Sequence, residues 1–204
     1  LCNPSRTSML TGRHPTTTQL YGNRQWFGLE HPDWRSLPRH FKDQGYVTVR
    51  SGKIFHGGID DTEAWTEGGE ARIYGDAPSA ERTATTPTAS DEAARIAQQV
   101  AQDRARAPES DRWEAVTGDT AALGDTRVAD VTIEALRRHK DGKKPFFVAC
   151  GFSKPHSPLV APKRFFDLYS PDRIELPPDF APRPTVPEGF PRGAIRPRNA
   201  DLFI

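Results

Sequence analysis

The sequence lacks long apolar runs, an excess of charge of one sign, and all but two cysteines. No stretch reaches the roughly eighteen consecutive apolar residues of a transmembrane helix, so we expect no membrane span. The 28 basic and 27 acidic residues give a formal net charge of +1, and no global field favours nucleic acid as a partner. Cys2 and Cys150 cannot make a disulfide framework, and Cys150, which ends an apolar run, is expected in the core.

Proline and glycine are abundant, with 19 and 16 residues respectively. This composition is typical of a loop-rich chain and argues against a helical bundle. The 204 residues are enough for one domain with its own core, and no internal repeat is visible. No signal peptide is recognisable, and the chain opens on Leu1 without a methionine, so we expect an internal fragment of a longer protein.

Two stretches, 37–58 and 126–158, each carry a helical pattern followed by a short strand and a polar loop. Ser36 is predicted to cap the helix of the first stretch. The strands are predicted at 46–49, which is β-branched, and at 146–150, which is a continuous apolar run. Continuous apolar runs are typical of strands buried in a parallel sheet. The alternation therefore predicts an α/β fold with a largely parallel central sheet flanked by helices.

The remaining segments are less regular. Residues 60–90 are polar and are predicted to form an exposed insertion, whereas 91–106 are alanine-rich and are predicted to be helical. A second helix is expected over 126–139 with Asp125 as its cap. The proline-rich residues 171–198 predict an extended loop.

The most informative stretch begins with Cys2-Asn3-Pro4-Ser5-Arg6. Pro4 suits the first turn of a helix, because its missing N–H costs nothing there, and Gly12 suits the end, so we predict a helix over 4–13. Cys2 would lie at the helix N-terminus, where free N–H groups and the helix dipole favour an anion. Arg6, one turn on, would direct its planar donor fork to the same point. The pattern predicts an oxyanion cradle around a sulfur nucleophile, or around a residue made from it.

Two further loops are predicted to join this site. Lys53 and His56 follow the strand 46–49, and Lys154 and His156 follow the strand 146–150. Ligands of parallel α/β sheets bind outside the carboxyl ends of the strands, so topology brings these loops to one edge together with Cys2. The combination predicts a cationic pocket for a tetrahedral oxyanion, with histidines suited to acid–base work.

The motif Cys-x-Pro-Ser-Arg-x-x-x-Leu-Thr-Gly-Arg at 2–13 resembles the signature of the type I sulfatases, which belong to the alkaline phosphatase superfamily. Gly-Tyr-Val-Thr-x-x-x-Gly-Lys-x-Phe-His-x-Gly at 45–58 and Lys-Pro-His-x-Pro at 154–158 resemble the iduronate-2-sulfatase branch of that family. Asp60-Asp61 and Val186-Pro187-Glu188-Gly189 fit the same branch. The resemblance implies an alkaline-phosphatase-like fold and identifies residues 1–204 as part of a catalytic domain, without its upstream strand and its downstream part.

The resemblance also implies roles for single residues. Cys2 would be oxidised by a maturation enzyme to formylglycine, an aldehyde whose hydrate attacks sulfur. Arg6 and Lys53 would hold the formylglycine and the sulfate, and His56 would take the proton that collapses the hemiacetal. His156 would contact the sulfate and the leaving oxygen, and Lys154 would assist substrate binding.

Members of the family bind one divalent cation, usually calcium, with carboxylates from segments not recognisable here. Only the formylglycine made from Cys2 would be a metal ligand within 1–204, so we expect this fragment alone to be inactive. Asp60-Asp61 lies in the wrong segment and is not assigned to metal. The resemblance further implies a sulfated small molecule or carbohydrate as substrate and a periplasmic, extracellular or lysosomal location.

Two alternatives to a sulfatase stay open. A phosphomonoester or phosphonate-ester hydrolase on the same scaffold would use the same charges, because phosphate is also a tetrahedral oxyanion. Unconverted Cys2 would instead leave a glycan-binding protein without catalytic activity.

Overall fold

The computed structural model of the chain describes residues 1–74, 112–178 and 188–189, which belong to two compact units. The described part of the first unit is 1–74 with 121–153. That of the second is 112–120 with 154–178 and 188–189. No helix in these described ranges is both long enough and apolar enough to cross a membrane.

The first unit opens with the helices α1 (Cys2–Thr11), α2 (Pro15–Thr18), α3 (Phe27–Glu30) and α4 (Leu37–Asp43). Helix α1 begins and ends two residues earlier than the predicted range 4–13. Gly12 ends it as predicted, in a left-handed conformation at φ 66° that glycine adopts without strain. Helix α4 starts as expected, because the Ser36 side chain accepts a hydrogen bond from the Arg39 N–H.

The described strands are β1 (Val47–Gly52), β2 (Trp113–Val116), β3 (Phe146–Gly151) and β4 (Leu159–Pro162). Strands β1 and β3 pair in parallel through the first unit, from Val47 opposite Phe146 to Gly52 opposite Gly151. In the second unit β2 pairs in parallel with β4. The parallel α/β prediction is therefore confirmed, although β1 and β3 each run further than expected, because the polar ends Ser51-Gly52 and Cys150-Gly151 continue the pairing.

A long helix, α5 (Gly124–His139), packs against this pair of strands in the first unit. Ala135 is fully buried, and the Ser51 hydroxyl donates to the Val128 carbonyl at 2.9 Å. Asp125 is not the helix cap, because Leu123 occupies that position. The Asp125 carboxylate instead accepts a hydrogen bond from the Ser153 N–H at 2.8 Å, just beyond β3.

The core of the first unit lies where α1 and the loops after α2 and β1 meet. It is built mainly from aromatic and aliphatic side chains, namely Leu10, Leu20, Phe27, Ile54, Phe55, Ala64 and Trp65. The prediction of an exposed insertion at 60–90 is wrong for its first residues, because Asp60, Ala64 and Trp65 are buried. Trp65 supplies the physical reason: its ring joins the core while its indole N–H donates to Asp60 at 3.1 Å. Residues 75–90 lie outside the described ranges.

Other expectations meet a mixed outcome. Cys150 is exposed rather than in the core, and the remaining residues of β3 are only partly buried. In the second unit a short helix, α6 (Lys163–Phe166), follows β4, and a 3₁₀ turn spans Pro171–Arg173 within the segment predicted to be extended. The predicted helix 91–106 and most of 179–198 lie outside the described residues.

Candidate active site

Cys2 is the first residue of α1 and is partly buried. Its neighbour Asn3 is almost fully buried and fixes the start of the helix. The Asn3 side-chain amide donates to the carbonyls of Gly22, at 2.8 Å, and of Gln25, at 2.6 Å. Sequence reasoning missed Asn3, because it occupies a variable position of the motif and its role depends on a loop about twenty residues away.

Residues 3–5, at the start of α1, use their backbone N–H groups within the fold or have none. The Asn3 N–H donates to the Asn23 side chain at 3.1 Å, and Pro4 has no N–H. The Ser5 N–H points back to the Leu1 carbonyl at 3.4 Å. These three positions therefore offer no N–H to an anion beside Cys2, and a charged side chain would add to the helix dipole there.

Lys53 supplies that charge. It is the first residue after β1, and the next two residues, Ile54 and Phe55, are anchored in the core. Phe55 stacks on Phe27 with ring centroids 6.2 Å apart, which fixes the loop. The Lys53 Nζ then lies 3.9 Å from the Cys2 Sγ, within hydrogen-bonding range of sulfur. The structure therefore brings together the predicted nucleophile and a cation separated from it by about fifty residues.

The Arg6 side chain contacts the backbone of the same loop. Its Nη1 donates to the carbonyl oxygen of Lys53 and, at 2.9 Å, to that of Ile54. The Arg6 fork was expected to point at Cys2. Its Nη1 points instead to the backbone carbonyls of Lys53 and Ile54. Arg6 ties α1 to the end of β1.

His56 lies on the same loop, three residues after Lys53, and is partly buried. Its carbonyl accepts a hydrogen bond from the Ile59 N–H at 2.9 Å, which closes a turn directly before Asp60. The loop is therefore short and tied at both ends. This places an imidazole on the same anchored segment as Lys53.

Lys154 and His156 belong to the second unit, and their described contacts are local. The Lys154 ammonium donates to the carbonyl of His156, at 3.0 Å, and to that of Pro158. His156 is exposed, and its Nδ1 lies 2.7 Å from the Ser157 carbonyl. Because a carbonyl oxygen only accepts, this contact puts a proton on Nδ1 and leaves Nε2 as the other ring nitrogen.

Asp60 and Asp61 are used as hydrogen-bond acceptors within the fold. Asp60 accepts from the Trp65 indole and from the Glu70 N–H, and it lies 3.7 Å from the buried Arg50 guanidinium. Burial raises the pKa of the Asp60 carboxyl, although these donors and Arg50 oppose the shift. Asp61 accepts from the Ser36 hydroxyl at 2.6 Å. In the described ranges, no cluster of three or more His, Cys, Asp or Glu residues could hold a metal ion.

A cleft of about 160 Å³ lies elsewhere in the first unit. It is lined by aromatic and charged residues, namely Trp26, Phe27, Gly28, Pro32, Trp34, Arg35, Arg39, Asp61 and Glu63. None of the predicted site residues lines it, and two of its lining charges, Arg39 and Glu63, pair with each other at 2.8 Å. The cleft is therefore distinct from the Cys2 site.

Comparison with known proteins gives one family and several similar chains. The family model described as Sulfatase matches residues 1–174. The chain is 33% identical over 97% of its length to iduronate 2-sulfatase from Homo sapiens, and equally identical, over the same share, to that from Mus musculus. It is 33% identical over 87% of its length to a sulfatase from Formosa agariphila.

These matches cover only part of the relatives. The aligned region is 34% of the human protein, 33% of the mouse protein and 34% of the Formosa agariphila protein. The chain thus spans about a third of the length of the curated relatives it matches. The match includes Cys2, Arg6 and Lys53, all of which lie within residues 1–174.

Proposed function

Because the chain belongs to the sulfatase family, we propose that it carries the nucleophile and part of the charge-binding site of an enzyme that hydrolyses sulfate monoesters. A sulfated carbohydrate is the substrate class we propose, in line with the similarity to iduronate 2-sulfatases. The observation that carries the proposal is the Lys53 ammonium 3.9 Å from the Cys2 sulfur, at the start of α1. A fixed cation beside a nucleophile at the positive end of a helix suits the transfer of an anionic group.

The residue at position 2 fits the modification that the motif implies. Cys2 is followed by Pro4 and Arg6 in a complete Cys-x-Pro-x-Arg pattern, and its side chain is partly accessible. A formylglycine made from Cys2 supplies an aldehyde hydrate, whose second hydroxyl allows sulfate to leave without an external water. A formylglycine-generating enzyme, or an equivalent maturation enzyme, is therefore a proposed partner.

The other residues have separate parts in this proposal. Lys53 holds a sulfate oxygen and offsets the negative charge that develops during transfer. Arg6 holds the loop that carries Lys53, and His56 accepts a proton when the product sulfate is released. His156 and Lys154, in the second unit, contact the sulfate and the substrate.

The divalent cation of the proposal, for which we favour calcium, does not find a ligand set among the described residues. Asp60 and Asp61 are occupied by hydrogen bonds and do not fit this role. We therefore derive no step through the metal, and we propose ligands elsewhere in the protein. A periplasmic, extracellular or lysosomal compartment is also part of the proposal and rests on the family resemblance.

The test uses the full-length protein, produced in a host with the maturation enzyme. Peptide mass spectrometry across residues 1–13 should find Cys2 converted, and steady-state assays should show turnover of an aryl sulfate. Cys2→Ser should abolish this turnover, because a serine ester lacks the internal release route. Cys150→Ser is the matched control: Cys150 is exposed and outside the site, so this variant should keep full activity.

Three results would contradict the proposal in different ways. A fully unmodified thiol in active protein would remove formylglycine from the mechanism. Faster turnover of the matched aryl phosphonate than of the aryl sulfate would indicate a phosphonate or phosphate esterase. Binding of a sulfated glycan without turnover, together with unconverted Cys2, would indicate a binding protein.

A further inference from the structure

The backbone at Lys53 and Ile54 is held between two groups from distant parts of the chain. On one side the Arg6 Nη1 donates to the Lys53 and Ile54 carbonyls. On the other side lies Gly151, the last residue of β3, whose carbonyl accepts from the Lys53 N–H at 2.7 Å. All of these residues belong to the first unit.

The contact with Gly151 is too close for any side chain. A Cβ at Gly151 would lie 2.0 Å from the Lys53 carbonyl oxygen and 2.4 Å from its carbonyl carbon. It would also lie 2.9 Å from the Ile54 Cδ1. Because two of these three atoms are backbone, a change of rotamer cannot relieve the overlap, and the Lys53 peptide itself would have to move. Gly151 does not adopt a positive φ, so the requirement for glycine here comes from the close approach of Lys53.

We propose that Arg6 and Gly151 are positioning residues that together set the place of the Lys53 ammonium beside Cys2. Arg6 holds the backbone of Lys53 against α1 through hydrogen bonds, and Gly151, which has no side chain, leaves room for that backbone at the end of β3. A shift of this backbone by about 1 Å moves the ammonium relative to the Cys2 sulfur, and misplacements of that size cost roughly a hundredfold in rate. This inference rests on the proposed function for its kinetic consequence, but not for its geometry.

The geometric test does not use activity. The full-length protein is produced without the maturation enzyme, so that position 2 keeps its thiol, and is treated with a short reagent that links a thiol to an amine. Peptide mass spectrometry should find Cys2 joined to Lys53. The yield of this cross-link should fall several-fold in Gly151→Ala and in Arg6→Lys, which keeps the charge but loses the fork to two carbonyls. Gly124→Ala is the control, because a Cβ there meets no atom within 4 Å.

The kinetic test is a double-mutant cycle on the converted enzyme. Gly151→Ala should lower kcat by about a hundredfold in the wild-type background and hardly at all in Lys53→Ala, because both changes remove the same interaction. A loss of equal size in both backgrounds would overturn the inference, since Gly151 would then act on general structure only. An unchanged cross-link yield in both Gly151→Ala and Arg6→Lys would overturn it as well.

These outcomes separate the inference from the proposed function. If the wild-type protein turns over no sulfate ester, the proposed function fails, and the cross-link yields alone decide the inference. If Gly151→Ala does not fold, as judged by circular dichroism and thermal melting, Arg6→Lys decides it. If the wild type turns over sulfate esters but neither Gly151→Ala nor Arg6→Lys changes the cross-link yield, the proposed function stands and the positioning roles of Arg6 and Gly151 fail.

Discussion

The loop after β1 and the loop after β3 begin at paired residues, Gly52 and Gly151, yet they hold their lysines in different ways. Lys53 is followed by two core residues, and its ammonium reaches the Cys2 sulfur. Lys154 is followed by a proline-bounded turn, and its ammonium bonds to carbonyls of its own loop. The first loop thus presents its charge to another element, whereas the second uses its charge to hold itself.

The difference shows why residue type is a weak guide to a lysine's role. Both loops carry a lysine and a histidine shortly after a strand. What separates them is the anchor that follows: Ile54 and Phe55 fix the first backbone in the core, which leaves the Lys53 side chain to extend away from it. Residues 155–157 are exposed, so these residues of the second loop are not anchored in a core as Ile54 and Phe55 are.

The largest effect is expected when each of the two lysines is replaced in turn. Lys53→Ala should lower kcat on an aryl sulfate by about a hundredfold or more, because one preorganised charge donor is lost. Lys154→Ala should have a smaller effect, since its ammonium is already bonded within its loop. Steady-state kinetics on the converted full-length enzyme measures both, and an equal loss in the two variants would contradict the difference proposed here.

A smaller effect is expected at His156. Loss of one hydrogen bond to a charged group in His156→Ala should lower kcat/KM about tenfold. The Ser157 carbonyl holds the Nδ1 proton, so Nε2 can donate to a leaving oxygen only when it carries a second proton. Losses should therefore grow as the leaving group becomes poorer. His156→Gln and His156→Ala compared over aryl sulfates of graded leaving-group pKa test this. Losses of the same size throughout would leave His156 as a sulfate contact only, and no loss would make it a structural residue.

The third prediction concerns the buried ion pair beneath the first loop. Burial raises the pKa of Asp60, so the folded state binds its proton more tightly than the unfolded chain does. Its contribution to stability is full below the ordinary value of 3.8 and is lost as pH rises through the raised folded-state pKa. The difference in unfolding free energy between wild type and Asp60→Asn should therefore shrink with rising pH across that window. Urea titrations measure it, with Asp33→Asn, an exposed carboxylate of the same unit, as control. A difference that grows with pH would instead show that Arg50 dominates.

The smallest effect is expected at Glu63, on the surface beside the same loop. The hydrogen bond from Arg39 holds the pKa of Glu63 below its ordinary value of 4.5. This contribution to stability is present above 4.5 and is lost as pH falls through the depressed folded-state pKa. Glu63→Gln should lower the melting temperature slightly at neutral pH and low salt, and less at high salt, because the pair is exposed. If Glu63→Gln destabilised the protein more than Asp60→Asn does, the exposed pair, and not the buried carboxylate, would be the main support of this segment.

Local patterns were enough to predict the parallel strands, the end of α1 at Gly12 and the cap at Ser36, because each depends on residues a few positions apart. They failed where partners are distant. Asp125 was expected to cap α5, but its carboxylate instead serves the backbone of Ser153, twenty-eight residues on. Asp60 and Trp65 were expected at the surface, but both are buried and the Trp65 indole N–H donates to the Asp60 carboxylate.

The sequence alone thus determined the chemistry offered at the site: a cysteine in a complete modification motif, a cation on a glycine-bounded loop, and parallel strands that bring their ends to one edge. Only the tertiary structure decided what each group does there. The Arg6 Nη1 turns to the Lys53 and Ile54 carbonyls, and the N–H groups of Asn3 and Ser5 donate to Asn23 and Leu1. Periodicity and motif spacing report which groups exist and on which element they lie. The direction of a hydrogen bond depends on which unpaired donor or acceptor the fold brings within 3 Å or so, and that is settled only when distant segments pack.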